Sequence, residues 1–286
     1  MWHARFEGWY YKQRGADGAV ALIVARHADP SGAASASLQI ISDAGAWRAF
    51  FPASEMRMDG PRVRLAGSSF SENGISLDVR ANGLRAGGVL SFGPTVPPRG
   101  DIMGPFRFAP GMECRHAVAS MRHTVDGAIE INGKRYAFQS GAGYIEGDRG
   151  TSFPRRYVWT HADWEKNSLM LSVADVPFHG HSFVGCVGFV YRDDRETRIA
   201  SYRGARVLEA GNDFLVVRQG KLTLAVKADA QKPRGLLAPQ MGGMTRTIHE
   251  SAACPVHYRL TAGQETLFNF VCDQASFEGN WQDPFS

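Results

Sequence analysis

The sequence predicts an all-β protein of two tandem β-barrel or sandwich domains with little helix, and three observations carry that prediction. Short runs rich in Val, Ile, Phe and Tyr alternate with Gly, Asn, Asp and Pro almost from end to end, the pattern of sandwiches and barrels. No long helical segment stands out between them. The 286 residues exceed one small barrel and, at roughly 100 to 200 residues per domain, favour two.

Taken in order, FEGWYYK at 6–12 reads as a strand, with Glu7, Trp9 and Tyr11 on one face and Phe6, Tyr10 and Lys12 on the other. GAVALIVA at 18–25 is a second run of strand length. In the stretch 63–83, Asn73-Gly74 separates two extended runs and supplies the positive φ angles of a tight hairpin. Residues 123–138 repeat the device at Asp126-Gly127 and Asn132-Gly133, so one of the two is expected as a hairpin turn and the other as a turn or bulge. Between these stretches, residues 92–112 are dense in Pro and Gly, which lack the ladder donor or the stiffness of a central strand, and form a long loop. A second break at GTSFPRRY, 150–157, precedes further strand-like runs at 168–176, 183–191, 198–208, 214–228 and 266–273. The expected domains are therefore 1–150 and 151–286.

Composition narrows the function. With 44% hydrophobic and 21% charged residues the chain is that of an ordinary folded protein. The net charge of +4 comes from scattered basic residues, which argues against a nucleic-acid groove and leaves a transient membrane-surface contact as a minor expectation. The N-terminal stretch lacks the charged, apolar and small-residue sequence of a secretory signal, and no run approaches the ~20 apolar residues that span a bilayer. A cytoplasmic protein, peripheral to the membrane if in contact with it, is the expectation. Cys114, Cys186, Cys254 and Cys272 are far apart and read as reduced, buried small residues.

Three stretches carry candidate chemistry. In FEGWYYK, Glu7 is either a rim carboxylate paired with a basic residue or an acid whose pKa rises by desolvation against Trp9. In GPFRFAPGMECRHAVASMRH, 104–123, the residues Glu113, Cys114, His116, Arg122 and His123 load one strand after the loop, and a bulge at the junction decides which of them share a face. An ion pair of Glu113 with Arg115 or Arg107 is the structural alternative. In GYIEGDRGTSFPRRYVW, 143–159, Glu146 and Asp148 lie two apart, so they project together from an extended chain, where repulsion in a dry site keeps a proton on the pair. Alternatively Asp148-Arg149-Gly150 is a turn and Glu146 is solvated. Tyr144, Tyr157 and Trp159 add aromatic surface on which a cation can rest. His179-Gly-His181 has no carboxylate placed beside it, so no metal is expected. GxSxG and nucleotide-binding glycine loops are missing, and no cofactor is expected.

These stretches, with SVADVPFHGHSFVG and LLAPQMGGMTRTIHES, resemble the tocopherol cyclase family over nearly the whole chain. The resemblance implies two lipocalin-like β domains, related to carotenoid hydratases, that enclose an apolar small molecule such as a prenylated quinol. It further implies a cofactor-independent isomerase that closes a chromanol ring by protonating an alkene and trapping the tertiary cation with a phenol oxygen. By that resemblance Glu113, His116, Glu146 and Asp148 are the catalytic candidates, and Glu7, Trp9, Tyr10, His123, Tyr144 and Trp159 form the substrate-binding wall. The alternatives are a non-catalytic carrier of a prenylquinone or other lipid, and a hydratase or cyclase of a polyene. The sequence leaves the oligomeric state open.

Overall fold

A computed structural model describes residues 5–178, 181–229 and 233–281; His179 and the side chain of His181 lie outside them. The described residues form two large antiparallel sheets, with short 3-10 turns and no α-helix among them.

The first sheet contains β1 (Arg5–Gly15), β2 (Gly18–Ala28), β3 (Ala34–Ser42), β4 (Ala46–Pro52), β5 (Met56–Asp59), β6 (Arg62–Leu65), β7 (Ser68–Ser71), β8 (Gly74–Ala81), β9 (Leu84–Phe92), β10 (Cys114–Ile131) and β11 (Lys134–Gly150). Its order is β4-β3-β2-β1-β11-β10-β9-β8-β7-β6-β5. Every neighbour is consecutive in the chain except β1 and β11, which pair the first strand with the last, as in an up-and-down barrel. The path breaks between β4 and β5, at the 3-10 turn Ala53–Glu55.

The second sheet repeats that plan. It contains β12 (Tyr157–Trp164), β13 (Asn167–Phe178), β14 (His181–Arg192), β15 (Arg195–Ala200), β16 (Arg206–Gly211), β17 (Phe214–Gln219), β18 (Leu222–Ala228), β19 (Arg234–Gln240), β20 (Gly243–Ala262) and β21 (Glu265–Asn280). Its order is β15-β14-β13-β12-β21-β20-β18-β17-β16, with β19 paired to β20. Again the first strand pairs with the last, and the path breaks at a 3-10 turn, Ser201–Arg203.

The chain divides into two compact units that exchange short segments. The first takes the chain up to Pro98, then Cys114–Phe153 and Leu236–Thr247; the second takes Arg99–Glu113, Pro154–Gly235 and the chain from Ile248 onward. The loop after β9 thus belongs to the second unit. There Arg198 donates from Nη1 to the carbonyl of Asp101 at 3.0 Å, and Tyr202 donates to the carbonyl of Ile102 at 3.0 Å. In the first unit, Gln39 grips Leu237 by two hydrogen bonds of 2.8 Å, pairing its amide with a main chain as another strand would.

Each sheet buries one face around a core of its own. In the first unit Trp9, Tyr11, Leu22, Val24, Leu38, Ile40, Phe70, Val125 and Ile145 belong to that core; in the second Val158, Ala162, Leu171, Val217, Val256, Tyr258 and Phe277 do. Each fully buried Leu, Ile or Phe contributes about 1.5–3 kcal/mol. The turns follow local chemistry. Asn132-Gly133, at φ 48° and 87°, joins β10 to β11 with Ile131 opposite Lys134, and Asp126-Gly127 sits where β10 bulges. At Asn73-Gly74 the hairpin forms one residue earlier than expected: Ser71 faces Gly74, so Glu72-Asn73 make the turn and Gly74 opens β8.

Candidate active site

The strands β1, β11 and β10 lie side by side at the centre of the first sheet, and their register fixes which side chains share a face. Trp9 stands opposite Gly147 and Tyr11 opposite Ile145, on the core side. Tyr10 stands opposite Glu146, Gly8 opposite Asp148 and Lys12 opposite Tyr144, so Tyr10, Lys12, Tyr144, Glu146 and Asp148 take the other side. From β10, His116 is opposite Asp148 and joins them there.

That side holds a cluster of titratable groups. The His116 ring lies between two carboxylates, with Nδ1 3.1 Å from Oδ1 of Asp148 and Nε2 3.2 Å from Oε2 of Glu146. The Asp148 contact is a directed hydrogen bond, whereas Nε2 and Glu146 make an ion-pair contact off the line of a good hydrogen bond. Tyr144, fully buried, donates its hydroxyl to Oε2 of Glu146 at 2.7 Å, and Cys114 Sγ lies 3.4 Å from Oδ1 of Asp148. Glu146 is only 6% exposed.

Burial alone disfavours a charged imidazole here, but the Asp148 and Glu146 carboxylates outweigh it through charge and hydrogen bonding. The His116 pKa rises to about 10. Burial, reinforced by Glu146, pushes the Tyr144 phenol well above its ordinary value and keeps it a neutral donor. At neutral pH the site is therefore an imidazolium clamped by two carboxylates, with a phenol hydroxyl on the more buried one.

The donor atoms of His116, Glu146 and Asp148 lie within 4.8 Å of one another, a spread from which a cation could be gathered. The imidazole occupies the space between the carboxylates and gives each of them a nitrogen. Nitrogen–oxygen separations of 3.1 and 3.2 Å suit ion-paired groups sharing a proton and equally two ligands on one cation, so the three side chains can hold a proton between them or offer donors to a metal.

The remaining residues singled out in the sequence fall elsewhere. Glu113 immediately precedes β10, belongs to the second unit, and makes no hydrogen bond or ion pair with another described residue. Glu7 faces Arg26 and Arg149 across its two neighbouring strands, on the Trp9 side. Trp9 is a core residue whose indole covers Gly147, where a Cβ would come within 2.7 Å of the ring. His123 is also on the core side: two register shifts after Val118 change the phase of β10, and its ring covers Gly143 and packs 4.4 Å from Phe92. Burial, with Arg122 adding to it, lowers the His123 pKa to about 3. By strand alternation and the bulges, Trp9 and His123 lie on the core side of the sheet and Tyr10 and Tyr144 on the other. Trp159 belongs to the second unit, opposite Glu278 on β21.

Sequence reasoning passed over several buried polar groups. Lys12 shares the Tyr144 side and is buried, and its place two residues after Tyr10 was the available signal. In the second unit, Glu278 accepts a hydrogen bond from Tyr157 and faces Glu250 across β20, all three buried. The signal there was the echo of Glu146-Gly147-Asp148 in Glu278-Gly279-Asn280, each near the end of a strand that closes its sheet. A groove of about 890 Å³ lies along β8 and β9, lined by Asp78, Arg80, Asn82, Arg85 and Glu130. Glu130 is at the far end of β10 from His116, so the groove is separate from the cluster.

Comparison with known proteins follows from the fold and this strand set. A model of the tocopherol cyclase-like family matches residues 103–281, which include β10, β11 and the whole cluster. The chain belongs to the tocopherol cyclase-like family. A crystal structure of an AttH-like protein from Nitrosomonas europaea superposes with a TM-score of 0.59 at 13% identity, over 98% of this chain and 93% of that one, which supports the shared fold. A protein of unknown function from Nostoc punctiforme, of the DUF3598 family, aligns over 97% of this chain and 95% of its own at 7% identity, with a TM-score of 0.16 too low to bear on the fold. No curated protein matches the sequence.

Proposed function

We propose that the tocopherol cyclase-like chain is an isomerase that closes a prenylated hydroquinone to a chromanol-type product, without a redox step, by acid chemistry at His116, Glu146 and Asp148. The observation that carries this reading is the His116 ring set between the Glu146 and Asp148 carboxyl groups on a buried sheet face, 3.2 and 3.1 Å from them.

An imidazolium with a pKa near 10 is a weak acid, so His116 supplies the proton without delivering it to the alkene. As an apolar ligand displaces water, separated charge becomes costlier, and the proton passes from His116 Nε2 to Glu146, the less exposed carboxylate at 8% against 23% for Asp148. Asp148 keeps the remaining proton on Nδ1. Glu146 then protonates the alkene carbon that leaves a tertiary cation, and the Glu146 carboxylate, Tyr10 and Tyr144 stabilise that cation. The phenol oxygen attacks the cation, and its proton returns to the cluster. Atoms and charge balance with no cofactor consumed.

The test is anaerobic turnover of a reduced prenyl hydroquinone by the wild type beside Glu146→Gln and His116→Gln. Loss of a positioned acid typically costs 10²–10⁴-fold, so kcat is expected to fall by about that factor in both variants with ligand binding retained. Tight binding without turnover in the wild type favours a lipid carrier instead. Full turnover by Glu146→Gln removes Glu146 as the donor.

A further inference from the structure

In the second unit the segment Gly104–Phe108, a 3-10 turn on the loop after β9, puts apolar rings into solvent. Phe108 is 73% exposed, the most of any large hydrophobic side chain among the described residues. Phe183 of β14 is 37% exposed. Phe106 joins the two elements, with its ring 6.0 Å from Phe183 and 5.8 Å edge-on from Tyr202. Between the two turn phenylalanines, Arg107 is half exposed, lays its guanidinium 4.4 Å from the centre of the Phe108 ring and makes a 4.0 Å ion-pair contact with Asp101.

Burying an exposed Phe is favourable, and exposed rings grouped together mark a contact surface. Underneath, the turn is packed: Tyr202 fills the space over Gly104, where φ is 52° and a Cβ would come within 2.6 Å of the ring, and just before the turn Asp101 accepts from the Met103 N–H at 2.8 Å. The rings are thus presented by a braced turn. Phenylalanines at its tip with an arginine alongside match the acyl-chain boundary and the phosphate layer of a lipid surface.

We propose that Phe106, Arg107, Phe108 and Phe183 form a contact site for an anionic lipid bilayer. The proposal extends the reading of an apolar substrate, since such a molecule resides in lipid, but it stands on the exposed rings and on Arg107, independently of the reaction. Arg107 supplies the charge complementarity that distinguishes a lipid surface from a plain apolar protein partner.

The experiment is flotation of the full chain with vesicles of phosphatidylcholine, and of phosphatidylcholine containing one quarter phosphatidylglycerol. The wild type is expected to float with both and more with the anionic vesicles. Phe108→Ser is expected to lower partitioning by about tenfold on both, and Arg107→Gln by about fivefold on the anionic vesicles only. Because both side chains are exposed, thermal melting should stay unchanged, and turnover of hydroquinone presented in detergent micelles should match the wild type. Failure of the wild type to float, or flotation of Phe108→Ser at wild-type level, overturns the proposal. So does a Phe108-dependent self-association in sedimentation without flotation, which assigns the patch to a second copy of the chain. Flotation without any turnover upholds the lipid contact and removes the proposed reaction.

Discussion

At the scale of residues, the two histidines of β10 have opposite electrostatic fates. His116, between Asp148 and Glu146, is held protonated to a pKa of about 10, while His123, buried and close to Arg122, is held neutral down to about 3. The linkage signs differ accordingly. The raised pKa of His116 adds stability that is fully present below the unfolded value near 6.5 and is lost as pH rises towards 10. The depressed pKa of His123 adds stability that is present above 6.5 and is lost as pH falls towards 3. Thermal unfolding followed from pH 4 to pH 10 should show His116→Gln flattening the alkaline limb and His123→Phe flattening the acid limb. Unchanged limbs in both variants contradict these environments. Part of this was legible in advance: the two-residue spacing of Glu146 and Asp148 puts them on one side, and the structure adds His116 between them. The phase of His123 was not legible, because that depends on two shifts of register inside β10 that no residue pattern specifies.

At the scale of elements, β11 decides the site. Its core side carries Gly143 and Gly147, and the rings of His123 and Trp9 lie over them. Its other side carries Tyr144, Glu146 and Asp148. The strand continues to Gly150, so the alternative of a turn at Asp148-Arg149-Gly150 gives way to pairing with both β1 and β10. Gly147→Val is expected to evict the Trp9 indole and destabilise the fold by about 1–3 kcal/mol, the usual cost of overpacking. Urea unfolding with Trp fluorescence reports both effects, and a variant as stable as the wild type with unshifted emission contradicts the packing described. The hairpin between β10 and β11 was legible because Asn132-Gly133 dictates left-handed backbone locally, whereas the turn between β7 and β8 falls one residue before Asn73-Gly74. The exchange of residues 99–113 and 236–247 between units was not, since it rests on long-range packing such as Arg198 on Asp101 and Gln39 on Leu237.

At the scale of the whole molecule, both sheets follow one plan, with the first strand paired to the last and a break at a 3-10 turn partway round. The all-β class was readable from strand-length runs and turn residues. Two tandem β domains were readable as well, but the strand order they share was not, because it is written in topology and no fixed repeat is visible in the letters. Their one audible echo is Glu-Gly-Asp against Glu-Gly-Asn near the ends of β11 and β21. This frame leaves the His116, Glu146 and Asp148 cluster on the side of a sheet away from its own core, where it is buried and charged at once.

The central claim is that this cluster adds a proton to an alkene. It is tested most directly by running the anaerobic reaction of a prenyl hydroquinone in D₂O and locating the label in the product by mass spectrometry and NMR. The account predicts a single non-exchangeable deuterium on the carbon next to the new ether carbon, absent from incubations with Glu146→Gln. A ring-closed product without carbon-bound deuterium, or no product from the wild type, contradicts it.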